Sequence, residues 1–325
     1  MRPAMSQTAP SRQRPRLTSR LVGRANADHR VCNRLVSADG ADAFCHACRL
    51  NLTIPSLDDA GNLLLWQRTE AAKPRIVYGV SRFGLPLSSK FEDAERGLAF
   101  DFLACAGYGL QEEPHVFTDH AHGLITIDIA EADDAKREGQ RRDMAELYRT
   151  VLGLFRSEVG HYYWERLIRN GVWHEDFWET FGDERRNYSV ALAAHYANGP
   201  LRDWRGHYVS SYSGSHPWED FAETWAHYLH IVDTLEIAVA FGLHVRPRIG
   251  RHPVIEMDVD FDLYERRDFN ALIAGWLPST YAVNSLNPSM GQPDLYPFVL
   301  TPTVMGKLRF VHGLIHGDGA SQELS

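Results

Sequence analysis

The chain lacks several features that would assign it to a large class of proteins. It has four cysteines in 325 residues, too few for the disulfide framework of a small secreted domain. No apolar run approaches the length of a membrane span, and the N-terminus has no apolar signal core. Basic residues are not in excess, since 34 Lys and Arg stand against 42 Asp and Glu. We therefore expect a cytoplasmic protein that is not a general nucleic-acid binder.

What remains is an ordinary globular composition, with 44% hydrophobic and 23% charged residues and enough length to bury a full core. Residues 1–25 are rich in Arg, Ser and Pro, and we predict a disordered basic tail there. A transit peptide has a similar composition, but no clear apolar face supports one. The next segment, 26–60, is predicted to be zinc-ribbon-like, and residues 61–325 form the main domain.

The short second segment contains two pairs of metal-binding residue types. His29 and Cys32 are separated by two residues, as are Cys45 and Cys48. Two such pairs can present four ligands tetrahedrally to one structural zinc ion, which would supply much of the folding energy. His46 is an alternative fourth ligand. A redox C-x-x-C is the competing interpretation, but this pair does not clearly follow a strand and open a helix.

Hydrophobic periodicity and turn residues outline the main domain. They predict a helix over 63–78 that is weakened at Pro74, and β-like runs at 98–103, 116–117 and 124–129. Two long helices and a closing helix over 307–315 follow. The first long helix opens at Asp133, is split near Gly139 and ends at Asn170-Gly171. The second begins at His216-Pro217, where proline suits the first helical position, and stops at Gly242.

The first long helix contains Ser157, Glu158 and His161. Positions 157 and 161 lie one helical turn apart on the same face. A histidine at 157 would complete H-E-x-x-H, in which two imidazoles bind zinc beside a carboxylate that acts as the base. Here Glu158 is placed for the base role and His161 for a ligand, while Ser157 occupies the position of the missing ligand.

The second long helix supplies candidate partners. Glu219, Glu223, His227 and His230 share one face, and no Lys or Arg lies between Pro217 and Phe241. A solvated polar face is the alternative interpretation of this pattern. In a zinc hydrolase three protein ligands leave a fourth position for water, so Glu219 is predicted as the third ligand and Glu223 as an orienting or substitute ligand. Three residues before the helix are candidate oxyanion donors: Tyr212, His216 and Tyr208.

These motifs resemble a family of zinc-binding metallopeptidases that join an N-terminal zinc-ribbon-like segment to a gluzincin-type domain. Members carry R-H-E-[IV]-G-H-Y-Y-W, and this chain reads R-S-E-V-G-H-Y-Y-W from Arg156 to Trp164. The resemblance extends through residues 31–34, 45–51, 181–185, 216–228, 287–291 and 294–298. It implies an α+β, zincin-like fold with a mixed sheet beside the active-site helix and a mainly helical C-terminal half. Its two subdomains would meet between the 140–170 and 217–241 helices.

The resemblance also implies zinc-dependent hydrolysis of peptides or proteins, but a serine hydroxyl is a poor zinc ligand. Three outcomes are open: a weak catalytic zinc site in which Glu223 or a histidine substitutes, a metal-free pseudoenzyme that binds peptides or partners, or a sequence error or natural lesion at Ser157. A nucleic-acid role for the ribbon would need a basic patch from Arg30, Arg34 and Arg49, which the acidic charge balance disfavours.

Overall fold

The computed structural model describes residues 21–23, 25–37, 44–104, 118–144, 146–248 and 255–317. Most of the predicted basic tail and the predicted strand at 116–117 lie outside these residues. Within them the fold is α+β and mostly helical, as predicted. No helix of this part of the chain is long and apolar enough to cross a membrane.

A small mixed sheet has the strand order β3-β4-β6-β5. Its strands are β3 (Asn51–Thr53), β4 (Ala99–Leu103), β5 (Thr118–Ala121) and β6 (Leu124–Asp128). β4 is parallel to β3 and β6, whereas β5 and β6 form an antiparallel hairpin. His122 and Gly123 turn this hairpin with positive φ angles, the conformation that such tight turns require.

Strand β3 lies in the segment predicted to be zinc-ribbon-like, yet it pairs with β4 of the main domain. The sheet therefore crosses the predicted boundary at residue 60. A second, two-stranded ladder joins β1 (Leu21–Val22) to β2 (Val36–Ser37) within the N-terminal segment.

Helix α1 (Ala60–Arg82) is longer than predicted and continues through Pro74. Asp59 caps its first turn by accepting a hydrogen bond from the backbone N–H of Gly61. The buried side chains of Trp66, Ile76 and Val80 lie along the helix on both sides of the proline. Tertiary packing of this face outweighs the local preference of proline against helix interiors.

The first long helical pattern forms two helices, α2 (Asp134–Asp143) and α3 (Val151–Leu167). The break lies between these helices, not at Gly139, which is inside α2. Thr150 starts α3 by accepting a hydrogen bond from the N–H of Gly153. After α3, Asn170 adopts a positive φ, as the predicted Asn-Gly stop requires.

Helix α7 (Pro217–Ala240) matches the second long prediction. His216 caps it, because its Nδ1 accepts from the N–H of Trp218 at 3.1 Å. Helices α3 and α7 pack closely where Gly160 faces Ala222: a Cβ at position 160 would lie 3.0 Å from the Ala222 Cα. On the other side of α3, the Phe155 ring packs 5.3 Å from that of Phe100 in β4. The sheet therefore lies beside this helix, as predicted.

Other helices occupy stretches that sequence patterns described as connections or loops. The closing helix α9 (Pro302–His316) begins five residues before its predicted start. The other α-helices of the described residues are α4 (His174–Phe181), α5 (Tyr188–Asn198), α6 (Trp204–His207) and α8 (Phe269–Leu286). Gly275 and Pro278 lie inside α8, which explains why the sequence pattern there did not predict a helix.

Candidate functional site

Helices α3, α5 and α7 enclose a cavity of about 640 Å³. Ser157, Glu158 and His161 line it from α3, and Glu219 and Glu223 line it from α7. The helical spacing places the first three side chains within one turn, and the tight α3–α7 packing brings the two acids opposite them. The structure therefore brings together, around one cavity, the residues that the sequence predicted for a catalytic site.

His161 of α3 and Glu219 of α7 form a close contact between the two helices in this cavity. Nε2 of His161 lies 3.5 Å from Oε2 of Glu219, and both side chains are buried. Two ligand atoms of one tetrahedral zinc ion lie about 3.3–3.5 Å apart, given ligand distances of about 2.0–2.2 Å. Burial alone would lower the pKa of His161, but the Glu219 carboxylate, helped by Glu158 and Glu223, raises it. The pair fits two adjacent positions around such an ion.

The other oxygen of Glu219 is held by a tyrosine that the sequence did not indicate. The hydroxyl of Tyr188 donates to Oε1 of Glu219 at 2.6 Å. Tyr212, the predicted oxyanion donor, lines the same cavity. Burial, with the nearby Glu219 charge, raises the pKa of Tyr212 well above its usual range, so this hydroxyl keeps its proton.

The two other candidate donors lie elsewhere. His216 uses Nδ1 to cap α7, and its Nε2 lies 3.1 Å from the carbonyl oxygen of Arg186. Tyr208 packs its ring 4.2 Å from the ammonium of Lys307. Neither side chain lines the cavity. The sequence did not indicate Tyr188, because this residue lies between the two long predicted helices and no regular spacing relates it to Glu219.

Ser157 contacts the second acid of α7. Its hydroxyl donates to Oε1 of Glu223 at 3.4 Å, and Ser210 donates to Oε2 at 3.0 Å. Burial raises the pKa of Glu223 to about 7, since no lysine or arginine pairs with it among the described residues. Glu223 therefore contacts the side chain at position 157, as expected of a carboxylate that orients a ligand there.

The donor set of this cavity is incomplete for zinc. Within the described part of the chain, no third His, Cys, Asp or Glu ligand atom joins His161 and Glu219 within 4.8 Å. Catalytic zinc sites use three protein ligands. The residues present therefore supply two of the three, and the missing one corresponds to Ser157. Glu223 does not take its place in this arrangement.

A cluster of three convergent ligand residues occurs instead in the N-terminal segment. The thiols of Cys32, Cys45 and Cys48 lie within 4.8 Å of one another, with 3.6 Å between the sulfurs of Cys32 and Cys45. A hydrogen bond from Cys48 lowers the pKa of Cys45 to about 5, which favours the thiolate that binds metal. His29 lies outside this group, exposed, with its ring 6.2 Å from that of Trp66. His46 contacts Arg49 at 2.7 Å instead.

A buried lysine links the strand that follows this cluster to the main domain. Lys73 of α1 is fully buried and pairs with Glu70 at 2.8 Å. It also donates to the side chain of Asn51, the first residue of β3. Its ammonium lies 5.2 Å from the ring centre of Phe102 in β4. The segment that follows Cys48 is therefore tied by a buried charge to both the first helix and the sheet.

Comparison with known proteins agrees with this architecture. A family model described as "putative zinc-binding metallo-peptidase" matches residues 62–314. The chain belongs to this family. A zinc-ribbon domain model matches residues 7–59, which include the three-cysteine cluster. The resemblance found in the sequence is thereby confirmed, and the N-terminal segment is a zinc ribbon.

Two mycobacterial relatives of this family member are described as uncharacterized proteins. One from Mycobacterium tuberculosis and one from Mycobacterium bovis are each 40% identical to the chain over 292 residues. The alignment covers 90% of this chain and 81% of each relative. No solved structure matches the chain significantly.

Proposed function

We propose that this family member is a peptide-binding protein with a zincin-like fold, in which the loss of one zinc ligand has left hydrolysis very weak. The observation that carries the proposal is Ser157 at the first ligand position, while the convergent pair His161 and Glu219 is joined by no third ligand residue in the described structure. Disturbing partners of a ligand alone lowers metal affinity or activity by about 10–100-fold. Removing a ligand itself has a larger effect.

The peptide-binding part rests on the shape of the cavity and on the neighbouring strand. A volume of about 640 Å³ lies within the range of sites that enclose small ligands. β5 is one of the two outer strands of the described sheet, and its residue His120 lines the cavity. An extended peptide that pairs with such a strand gains backbone hydrogen bonds, and its side chains would then enter the cavity.

A zinc-dependent peptidase is the second candidate, favoured by the 3.5 Å separation of His161 and Glu219 and by Glu158 beside them. His161 and Glu219 would hold the ion, which when bound polarises a scissile carbonyl and acidifies water. Glu158 would accept the proton of the attacking water and return it to the leaving amine. Tyr188 would keep Glu219 in place through its hydrogen bond.

Peptide hydrolysis in excess zinc separates the two candidates. A mixture of fluorogenic peptides is incubated with the wild-type chain and with Glu158→Gln, and cleavage is followed by mass spectrometry. We expect the wild-type chain to bind peptides but to cleave them no faster than Glu158→Gln does. Cleavage that requires both added zinc and Glu158 would replace the binding proposal with the peptidase, and absence of any peptide binding would contradict both.

A further inference from the structure

Helix α5 presents an apolar stripe that the rest of the described protein does not bury. None of its eleven residues is buried. Leu192 and Tyr196 lie one turn apart and both line the cavity, and Tyr196 is 58% exposed. Apolar stripes of surface helices normally pack against the core. Here the stripe faces the open space of the cavity instead.

The helix is held in place by its other residues. Tyr188, at its first turn, bonds to Glu219 at 2.6 Å and packs edge-on against Trp218 at 5.7 Å. His195 lies 6.0 Å from the ring of Tyr212. These contacts hold α5 beside the cavity, and the exposed surface of Tyr196, next to the partly buried Leu192, remains available to a ligand.

A second apolar wall lines the same cavity. Met144 and Leu147 come from the connection before α3, and Leu154 comes from its first turn. Leu147 is 52% exposed, although leucine is usually buried in a folded protein. The two walls together form an apolar part of the cavity beside the acidic part at Glu219.

The charges that line the cavity exclude one class of ligand. Glu158, Glu219 and Glu223 line it from α3 and α7. Of the two arginines that line it, Arg149 pairs with Glu131 at 2.6 Å, whereas Arg205 lies over the ring of Trp204 at 4.7 Å and keeps its charge. With Glu146, four carboxylates line the cavity against these two arginines, so the balance of charge opposes an acidic side chain in this partly desolvated site.

We propose that Leu192 and Tyr196 of α5, with Met144, Leu147 and Leu154 opposite, form the subsite for an aromatic or aliphatic side chain of a neutral or basic peptide. This inference rests on the proposed peptide-binding function and names its ligand class. Selectivity comes from apolar burial in this subsite and from repulsion of acidic residues by the neighbouring carboxylates.

Three peptides that differ at one position test the subsite: Ac-Lys-Ala-Phe-Ala-Lys-NH2 and its counterparts with Ala or Glu in the centre. Binding is measured by titration calorimetry, and mass spectrometry checks that the peptides stay intact. We expect the Phe peptide to bind at least about tenfold more tightly than the Ala peptide, because burying a large apolar side chain is worth about 1.5–3 kcal/mol. The Glu peptide should bind most weakly.

Two substitutions on the same helix provide the matched comparison. Tyr196→Ala should reduce the preference for Phe over Ala to about threefold or less, since it removes one wall of the subsite. Val190→Ala should leave the preference unchanged, because Val190 is 64% exposed and does not line the cavity. Equal binding of the Phe and Ala peptides, or equal effects of the two substitutions, would overturn the subsite alone. Failure of all three peptides to bind would overturn the proposed function as well.

Discussion

Ser157 donates a hydrogen bond of 3.4 Å to Oε1 of Glu223, so the residue in the position of the missing histidine still contacts the acid that would orient that histidine. The carboxylate is held from the other side by Ser210. A single side chain, that of Ser157, therefore separates this segment of α3 from the H-E-x-x-H pattern.

Restoring the histidine should restore a metal site. In Ser157→His, an imidazole would join His161 and Glu219 as a third ligand, with Glu223 as its hydrogen-bond acceptor. We expect elemental analysis to find a second tightly bound zinc beside the ribbon zinc. The zinc affinity of the cavity should rise by more than about 100-fold. That factor is the upper end of the range seen when only the hydrogen-bond partners of metal ligands are removed.

The matched control for this gain is Ser81→His, which places an imidazole at an exposed position of α1 that does not line the cavity. It should leave the zinc content of the wild type unchanged. The assigned ligand set would be wrong if the wild-type chain bound two zinc ions tightly. It would also be wrong if Ser157→His bound only one zinc ion tightly.

The ribbon cluster should control the stability of the N-terminal part of the sheet. Cys45→Ser removes one of the three convergent thiols, and β3 follows the cluster directly. We expect loss of the ribbon zinc and a fall of several kcal/mol in the free energy of unfolding, since apparent zinc-binding energies of structural sites are about 10–16 kcal/mol. Zinc content and thermal unfolding measure both effects.

Two neighbouring histidines serve as comparisons for the ribbon. His46→Ala should retain zinc, because His46 is exposed and contacts Arg49. His29, the predicted fourth ligand, is also exposed and lies outside the three-thiol group, so His29→Ala should retain zinc as well, and loss of zinc from this variant would support the predicted role. A Cys45→Ser protein with wild-type zinc content and melting temperature would rule out a structural metal at this cluster.

Gly160 should be required for the close approach of α3 and α7. A Cβ there would lie 3.0 Å from the Ala222 Cα and 3.2 Å from the Trp225 Cβ, so both backbones would have to move apart. We expect Gly160→Ala to lower the free energy of unfolding by about 1–3 kcal/mol, as overpacking does. Urea denaturation provides the measurement.

The opposite result is expected for a glycine of α2 with open space around it. A Cβ on Gly139 would meet nothing within 4 Å, so Gly139→Ala should stabilise its helix by about 0.5–1 kcal/mol. If both alanines changed stability in the same direction, steric contact between α3 and α7 would not be the explanation for Gly160.

Buried neutral histidine should make the protein sensitive to acid. Burial, with the nearby Arg156 charge, lowers the pKa of His227 to about 3, from 6.5. Below pH 6.5 this histidine is protonated in the unfolded chain, whereas in the folded chain it stays neutral down to about pH 3. The free energy of unfolding should therefore decrease as the pH is lowered from 6.5 to about 3, by about 1.4 kcal/mol per pH unit for this histidine. His227→Asn should reduce the slope of unfolding free energy against pH by that amount.

Tyr296→Phe distinguishes titration from simple loss of a contact. Its hydroxyl hydrogen-bonds to Nδ1 of His227 at 2.8 Å, so its removal should lower stability by about 1 kcal/mol at every pH. The imidazole remains, and the slope should stay close to that of the wild type. Parallel pH profiles for the wild type and His227→Asn would contradict the assignment of this slope to His227.

Local patterns in the sequence predicted two of the three helices that line the cavity, α3 and α7. Pro217 and the cap at His216 define the start of α7, and the spacing of Ser157 and His161 defines one face of α3. These features depend on residues within a turn or two of each other, so the sequence alone was sufficient to find them. The break before α3 was placed wrongly at Gly139, because an exposed glycine is tolerated within a helix.

What the sequence by itself determined is the chemistry available to this protein: cysteines and a histidine as candidate ligands in the ribbon, a carboxylate beside one histidine of α3, and a serine at the position of a second histidine. Only the tertiary structure decided that Tyr188 holds Glu219, that β3 extends the sheet across the ribbon boundary, and that an apolar stripe of α5 faces the cavity. These relationships join segments distant along the chain. They arise from packing between elements, which no local spacing encodes.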